Sequence, residues 1–163
     1  MSKEELVTLL KKYKELKAKM KSCEKEIAKI DNQLTREKFK QCNDIKISSN
    51  SLEINSDIHS KNSISDKTAN QAITHIDTIT ELNNKEKKIF DEMRECEYKV
   101  EYIDIRLNAL TEKEYLVVYN HFIEGFTYSY IGNNQYYSKF KQTRSEKVIQ
   151  KISDIAINKM IKI

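Results

Sequence analysis

Between residues 138 and 151 the chain gathers side chains suited to a polyanion: Ser138, Lys139, Lys141, Gln142, Arg144, Lys147 and Lys151. From residue 139 to 151 there are five basic residues against one acidic residue, Glu146. Ammonium and guanidinium groups neutralise phosphates, whereas Arg and Gln can read base edges with paired hydrogen bonds. Ser138 is a residue type that caps helices, and the free N–H groups of a helix start also meet phosphate. These seven residues form the candidate DNA-binding set. Arg144 is the only arginine beyond Arg106, and the sequence assigns it a base contact. The plainer alternative is an ordinary solvated basic face on a helical bundle.

The elements that must hold this set are legible around it. Thr111-Glu112-Lys113-Glu114 is a capping box, in which a hydroxyl and a carboxylate satisfy the first free N–H groups of a helix. That helix carries Tyr115, Val118, Tyr119 and Phe122 and is expected to stop at Gly125, where a left-handed conformation suits glycine. Thr127 to Gly132 predicts a very short second helix. Ser138 is expected to cap a long third helix, with Val148, Ile152, Ile155/Ala156 and Met160 on its core face. A short helix, a turn and a basic long helix make a helix-turn-helix over residues 111–163, a module that places side chains in the major groove. The six tyrosines of this module fit core and rim positions better than base-stacking platforms.

Two longer helices precede it. Leu6, Leu9, Tyr13, Leu16, Met20, Cys23, Ile27, Ile30 and Leu34 alternate spacings of three and four, the heptad seam of a coiled-coil helix. A second seam runs Ile79, Leu82, Glu86, Ile89, Met93, Cys96, Val100, Ile103, Leu107 and Leu110, with only Glu86 polar. The expected boundaries are 1–42 for the first coiled-coil helix, 43–66 for a Ser/Asn-rich linker and 67–110 for the second. The fold class expected is all-α: a long antiparallel coiled-coil hairpin followed by the C-terminal helix-turn-helix. The hairpin sets Leu6 against Leu110, Met20 against Cys96 and Ile27 against Ile89. Each buried aliphatic side chain contributes on the order of 1.5–3 kcal/mol, which outweighs the slowly growing cost of closing the linker. The rival arrangement is a parallel homodimer through one or both seams.

Charge is distributed unevenly. Residues 1–42 hold 12 basic and 7 acidic side chains, residues 43–110 hold 9 and 13, and residues 111–163 hold 8 and 5. The first two segments attract each other, and the third suits an anionic partner. With no proline and two glycines, Gly125 and Gly132, the chain has few residues that punctuate helices. No apolar run reaches a membrane span, and Lys11 and Lys12 interrupt the start that a signal peptide would need, so a cytoplasmic location (the cytoplasm of a bacterial host) without membrane association is expected. Cys23, Cys42 and Cys96 lack the spacing of a zinc site, and His59, His75 and His121 are scattered. No metal, cofactor or catalytic residue is expected, and the chain reads as a non-enzyme.

The stretch Phe122-Ile123-Glu124-Gly125-Phe126-Thr127-Tyr128-Ser129-Tyr130-Ile131-Gly132, followed by Tyr136-Tyr137-Ser138 and Arg144, resembles region four of bacterial sigma factors. It is more similar still to the phage-encoded sigma-like late transcription regulators of the ArpU/RinA kind. The motif-bearing match covers about 50 residues. The resemblance implies a sequence-specific DNA-binding transcription regulator of a phage or mobile element, acting at late promoters. Its partners would be double-stranded DNA and, through the outer surface of the module, RNA polymerase, with the regulator a monomer or homodimer. Two alternatives stay open at this point: a DNA-packaging protein like a small terminase subunit, and a coiled-coil adaptor that binds no DNA.

Overall fold

The computed structural model describes residues 2–50 and 63–163, and side chains within 2–40 and 70–163. The described residues are helices and short connections, with no strand among them. No helix among them is long and apolar enough to cross a membrane. The elements in order are α1 (Lys3–Asn50), α2 (Ser63–Asn108), α3 (Glu112–Val118), α4 (Tyr128–Tyr130), α5 (Tyr136–Phe140) and α6 (Glu146–Lys162). Wide turns with i→i+5 hydrogen bonds extend α3 through Tyr119–Ile123 and join α4 to α5 through Ile131–Gln135.

The two long helices exceed their expected limits. The first continues past residue 42 to Asn50, and the second begins at Ser63 rather than at residue 67. Neither flank contains the Pro or Gly that would stop a helix. The rest of the expected linker, 51–62, lies outside the described residues, as do the side chains of Cys42 and His59. Alpha2 ends at Asn108, and a turn closed by Leu110 N–H donating to the Leu107 carbonyl leads to Thr111.

The chain divides into two compact units. Residues 22–93 form one. Its buried seam residues are Cys23, Ile30 and Leu34, with Ile27, Ile79, Leu82, Glu86, Ile89 and Met93 half-buried. His75 Nδ1 lies 3.4 Å from Glu37 Oε2, and Lys40 lies 2.7 Å from the other carboxylate oxygen. The Lys40 ammonium, with help from His75, holds the Glu37 carboxyl below its usual range.

Residues 1–21 and 94–163 form the other unit. Its main core joins Leu6, Leu10 and Tyr13 of α1, Val100, Ile103 and Leu107 of α2, Val118 and Ile123, and Ala156, Ile157 and Met160 of α6. In α1 Leu6 and Leu10 are fully buried, whereas Leu9 of the expected seam is only half-buried. A second cluster holds Leu116, Val117, Ile131, Tyr136 and Ile149, with Phe140 and Ile152 against it. Polar clasps surround the first core. Tyr13 donates a hydrogen bond to Asp104. Lys14 and Glu124 pair at 2.5 Å, and Arg106 Nε donates to the Met160 carbonyl at 3.1 Å.

Candidate nucleic-acid interface

The candidate module begins at the Thr111 cap. Thr111 N–H donates to Glu114 Oε2 at 2.8 Å, and Glu114 N–H reaches the Thr111 hydroxyl at 3.5 Å, completing the capping box expected from the sequence. Burial alone would raise the Glu114 carboxyl. The Thr111 contacts and the Lys159 ammonium at 3.3 Å outweigh burial and hold it below the usual carboxylate range. The first helix of the module therefore starts at a fixed point and is tied to α6.

Gly125 then turns the chain with φ of 81°, the left-handed conformation expected of it. Thr127 caps α4 by accepting from the Tyr130 N–H. The His121 ring bridges the turn: its Nδ1 sits 2.8 Å from the Phe126 carbonyl, and the ring stacks on Tyr128 at 3.8 Å. The Tyr128 hydroxyl lies 3.3 Å from the hydroxyl of Ser153, the one buried polar side chain among the described residues. The turn and α6 are thus connected through one aromatic stack.

From here the structure corrects the expected boundaries. The second helical stretch does not stop at Gly132. It continues through Tyr136–Phe140, and Ser138 lies inside it rather than capping the third helix. Tyr136 is 2% exposed, and burying this ring favours continuing the helix. The stop comes at Lys141, which is left-handed with φ of 56°. Ser145, extended at φ −65° and ψ 153°, precedes the third helix, α6, with no side-chain cap bond. Between them the irregular segment 142–145 passes against Gly132 at Arg144. Arg144 N–H donates to the Gly132 carbonyl at 3.2 Å, and a Cβ on Gly132 would collide with the Arg144 carbonyl oxygen. The absence of a side chain at 132 is what lets the segment approach.

The buried face of α6 differs as well. Ile149, Ser153, Ala156, Ile157 and Met160 are buried and Ile152 is half-buried, whereas Val148 and Ile155, expected inside, are exposed. Ala156 and Met160 are buried as expected, and the stripe is centred one residue further on at its start, on Ile149 and Ser153, because Ile149 packs with Ile131 and Tyr136 and Ser153 meets Tyr128. Opposite it, Lys147, Lys151, Asn158 and Lys162 recur at i, i+4, i+11 and i+15, all exposed. Asp154 borders this ridge, and its charge is offset by Lys3 at 3.0 Å.

The seven predicted residues therefore occupy three places. Ser138 and Lys139 are exposed on α5, with Lys139 paired to Glu112 at 2.9 Å. Lys141, Gln142 and Arg144 lie on the connecting segment, where Arg144 donates to Gln142 Oε1 at 2.9 Å. Lys147 and Lys151 lie on the outer ridge of α6. Lys141, Lys147 and Lys151 make no ion pair among the described residues. Asn158 and Lys162 were missed in the sequence, although their spacing from Lys147 would have revealed them once the helix start was known. No local signal could have marked Lys3, which meets Asp154 from 151 residues away.

Among the described residues, no three His, Cys, Asp or Glu side chains are grouped to hold a metal ion. No family model, no curated protein and no solved structure matches this chain.

Proposed function

We propose that the chain is a sequence-specific DNA-binding transcription regulator of a phage or mobile element, non-enzymatic and working in the bacterial cytoplasm. On this reading α3 through α6 form a helix-turn-helix in which α6 is the recognition helix. Residues 3–50 and 63–108 are the arms of an antiparallel coiled-coil hairpin that carries it. The resemblance to sigma region four and to late regulators of the ArpU/RinA kind supplies the promoter role and RNA polymerase as a further partner.

The observation that carries the proposal is the outer ridge of α6. A 17-residue helix has Lys147, Lys151 and Lys162 on the face opposite its core. Their charges are left for an outside anion, while Asp154, the acidic neighbour, is occupied by Lys3. The segment before the helix is fixed to Gly132, so Arg144 and Gln142 are held beside its first turn.

The test is selection of bound fragments from random duplex DNA, then titration of the selected site at several salt concentrations. Lys147→Ala and Lys151→Ala should each reduce the salt slope by about one and weaken binding across sequences. Arg144→Ala should relax base preference, at a cost of about 1–3 kcal/mol at one position. Absence of salt-dependent binding by the parent, or unchanged binding by all three variants, would overturn the proposal.

A further inference from the structure

The unit formed by residues 1–21 and 94–163 exposes two apolar stripes of opposite electrostatic character. The first is on α2. Cys96, Val100, Ile103 and Leu107 are its buried seam, but Tyr98, the half-buried Tyr102 and Ile105 recur at i, i+4 and i+7 on the other side. Tyr98 is 80% exposed and Ile105 is 53% exposed. Tyr98 and Tyr102 also line a shallow groove of about 430 Å³ with Leu9, Glu95 and Lys99. The bordering carboxylates Glu97 and Glu101 make no ion pair among the described residues, while Glu95 is paired with Lys99 at 2.6 Å. The nearby cations are engaged: Arg106 stacks on Tyr102 and donates to Met160, and Arg94 has a partner of its own. This stripe is apolar with an acidic border.

The second stripe is on α6. Val148 and Ile155, seven residues apart, are 40% and 53% exposed. Lys151 and Lys162 border them, and neither makes an ion pair among the described residues. This stripe is apolar with a basic border. Each face is what the other requires: branched aliphatic side chains to fill a tyrosine-lined groove, and ammonium groups to meet free carboxylates. In one copy both faces remain exposed to solvent.

We propose that a second copy of this chain covers them, with Val148 and Ile155 of one copy seated in the Tyr98–Tyr102–Ile105 stripe of the other and Lys151, which lies between them along the helix, facing Glu97 and Glu101. Two different patches meet, so a two-fold arrangement uses the contact twice, and any other arrangement propagates it head to tail. Opposed charges at the border make the association stronger at low salt. The contact covers Lys151, so self-association and DNA compete for α6. That competition rests on the DNA-binding reading, but the association itself does not.

The experiment is sedimentation velocity on the full chain without DNA, over a range of concentration at low and high salt. The expected result is a mass rising from the 19.3 kDa monomer to a multiple of it as concentration rises, more steeply at low salt. Tyr98→Ser and Ile155→Ser, both at exposed positions, should each leave helical content unchanged and weaken association at least tenfold. Glu101→Lys alone and Lys151→Glu alone should weaken it, and a chain carrying both changes should recover it. A monomeric mass at every concentration overturns the proposal. So does association that ignores the two serine variants, or a double charge reversal that recovers nothing. Loss of DNA binding with association intact would overturn the DNA reading alone.

Discussion

Gly125 and Gly132, the two glycines of the chain, serve different needs. Gly125 is left-handed with open space around it, so the obstacle to a side chain there is the backbone angle. Gly132 has no positive φ, and the obstacle is the Arg144 carbonyl pressed against it. Gly125→Val should therefore destabilise the module by roughly 1–2 kcal/mol, the cost of a left-handed residue with a Cβ. Gly132→Ala should displace residues 142–145 and disturb the start of α6 even though alanine favours helix. Thermal melting and amide exchange of Arg144 distinguish them. The Gly125 variant should lower the melting temperature while the Arg144 amide keeps its protection from exchange. The Gly132 variant should release that amide. If Gly132→Ala melts and exchanges like the parent, the close packing on Gly132 is wrong.

The elements of the module differ in how readable they were. The capping box at Thr111 and the stop at Gly125 are local chemistry, and both were legible because cap and turn residues act on their immediate neighbours. The second helix runs past its expected end because that end is set by the burial of Tyr136 and by a left-handed Lys141, and a lysine carries no turn signal. The start of α6 lies at Ser145 rather than Ser138 for that reason, and of its expected core face Ala156 and Met160 are buried while Val148 and Ile155 are exposed, since spacing alone does not distinguish two apolar faces of one helix. The seams of α1 and α2 were readable from spacing, but their extent beyond residue 42 and before residue 67 was not, since polar composition alone does not end a helix.

The capping box also makes a prediction about acid. The Glu114 carboxyl is held below its usual range in the folded chain. Its contribution to stability is thus present above the unfolded carboxylate range, near pKa ~4.3, and is lost as pH falls through the lower folded value. Glu114→Gln should flatten the acid side of the stability-against-pH curve and leave its neutral-to-basic side with the same shape. Urea melts from pH 3 to pH 7 are the measurement, and parallel acid limbs for variant and parent would exclude Glu114 as the titrating group.

For the whole chain, the proposed hairpin is tested where both arms lie in the same unit. Tyr13 already bonds to Asp104, and Leu6 shares a core with Ile103 and Leu107. Met20 lies against that core, and Cys96 is a free, buried thiol. With Cys23 and Cys42 changed to serine, Met20→Cys should form an intramolecular crosslink to Cys96 under mild oxidation. A product that runs only as a crosslinked dimer would show the seams pairing between chains. The Tyr13–Asp104 bond gives an optical check on the same contact. Burial first, and then the neighbouring Asp104 carboxylate, push the Tyr13 phenol well above the usual tyrosine range. Its stabilising effect is therefore complete below the unfolded tyrosine range and fades only as pH rises through the raised folded value.

The core that joins Leu6 and Leu10 to Ile157 and Met160 also has a consequence for synthesis on the ribosome. The Lys3–Asp154 contact spans 151 residues. At translation speeds of about 5–20 residues per second, the first apolar turns wait roughly 8–30 s before α6 emerges to cover them. Vectorial emergence gives α1 first the last turns of α2 and then Val118 and Ile123 as partners, and leaves Leu10 without its full cover until α6 follows. A nascent chain stalled after α2 should accordingly remain sensitive to protease near Leu10, and release of α6 from the exit tunnel should close that site.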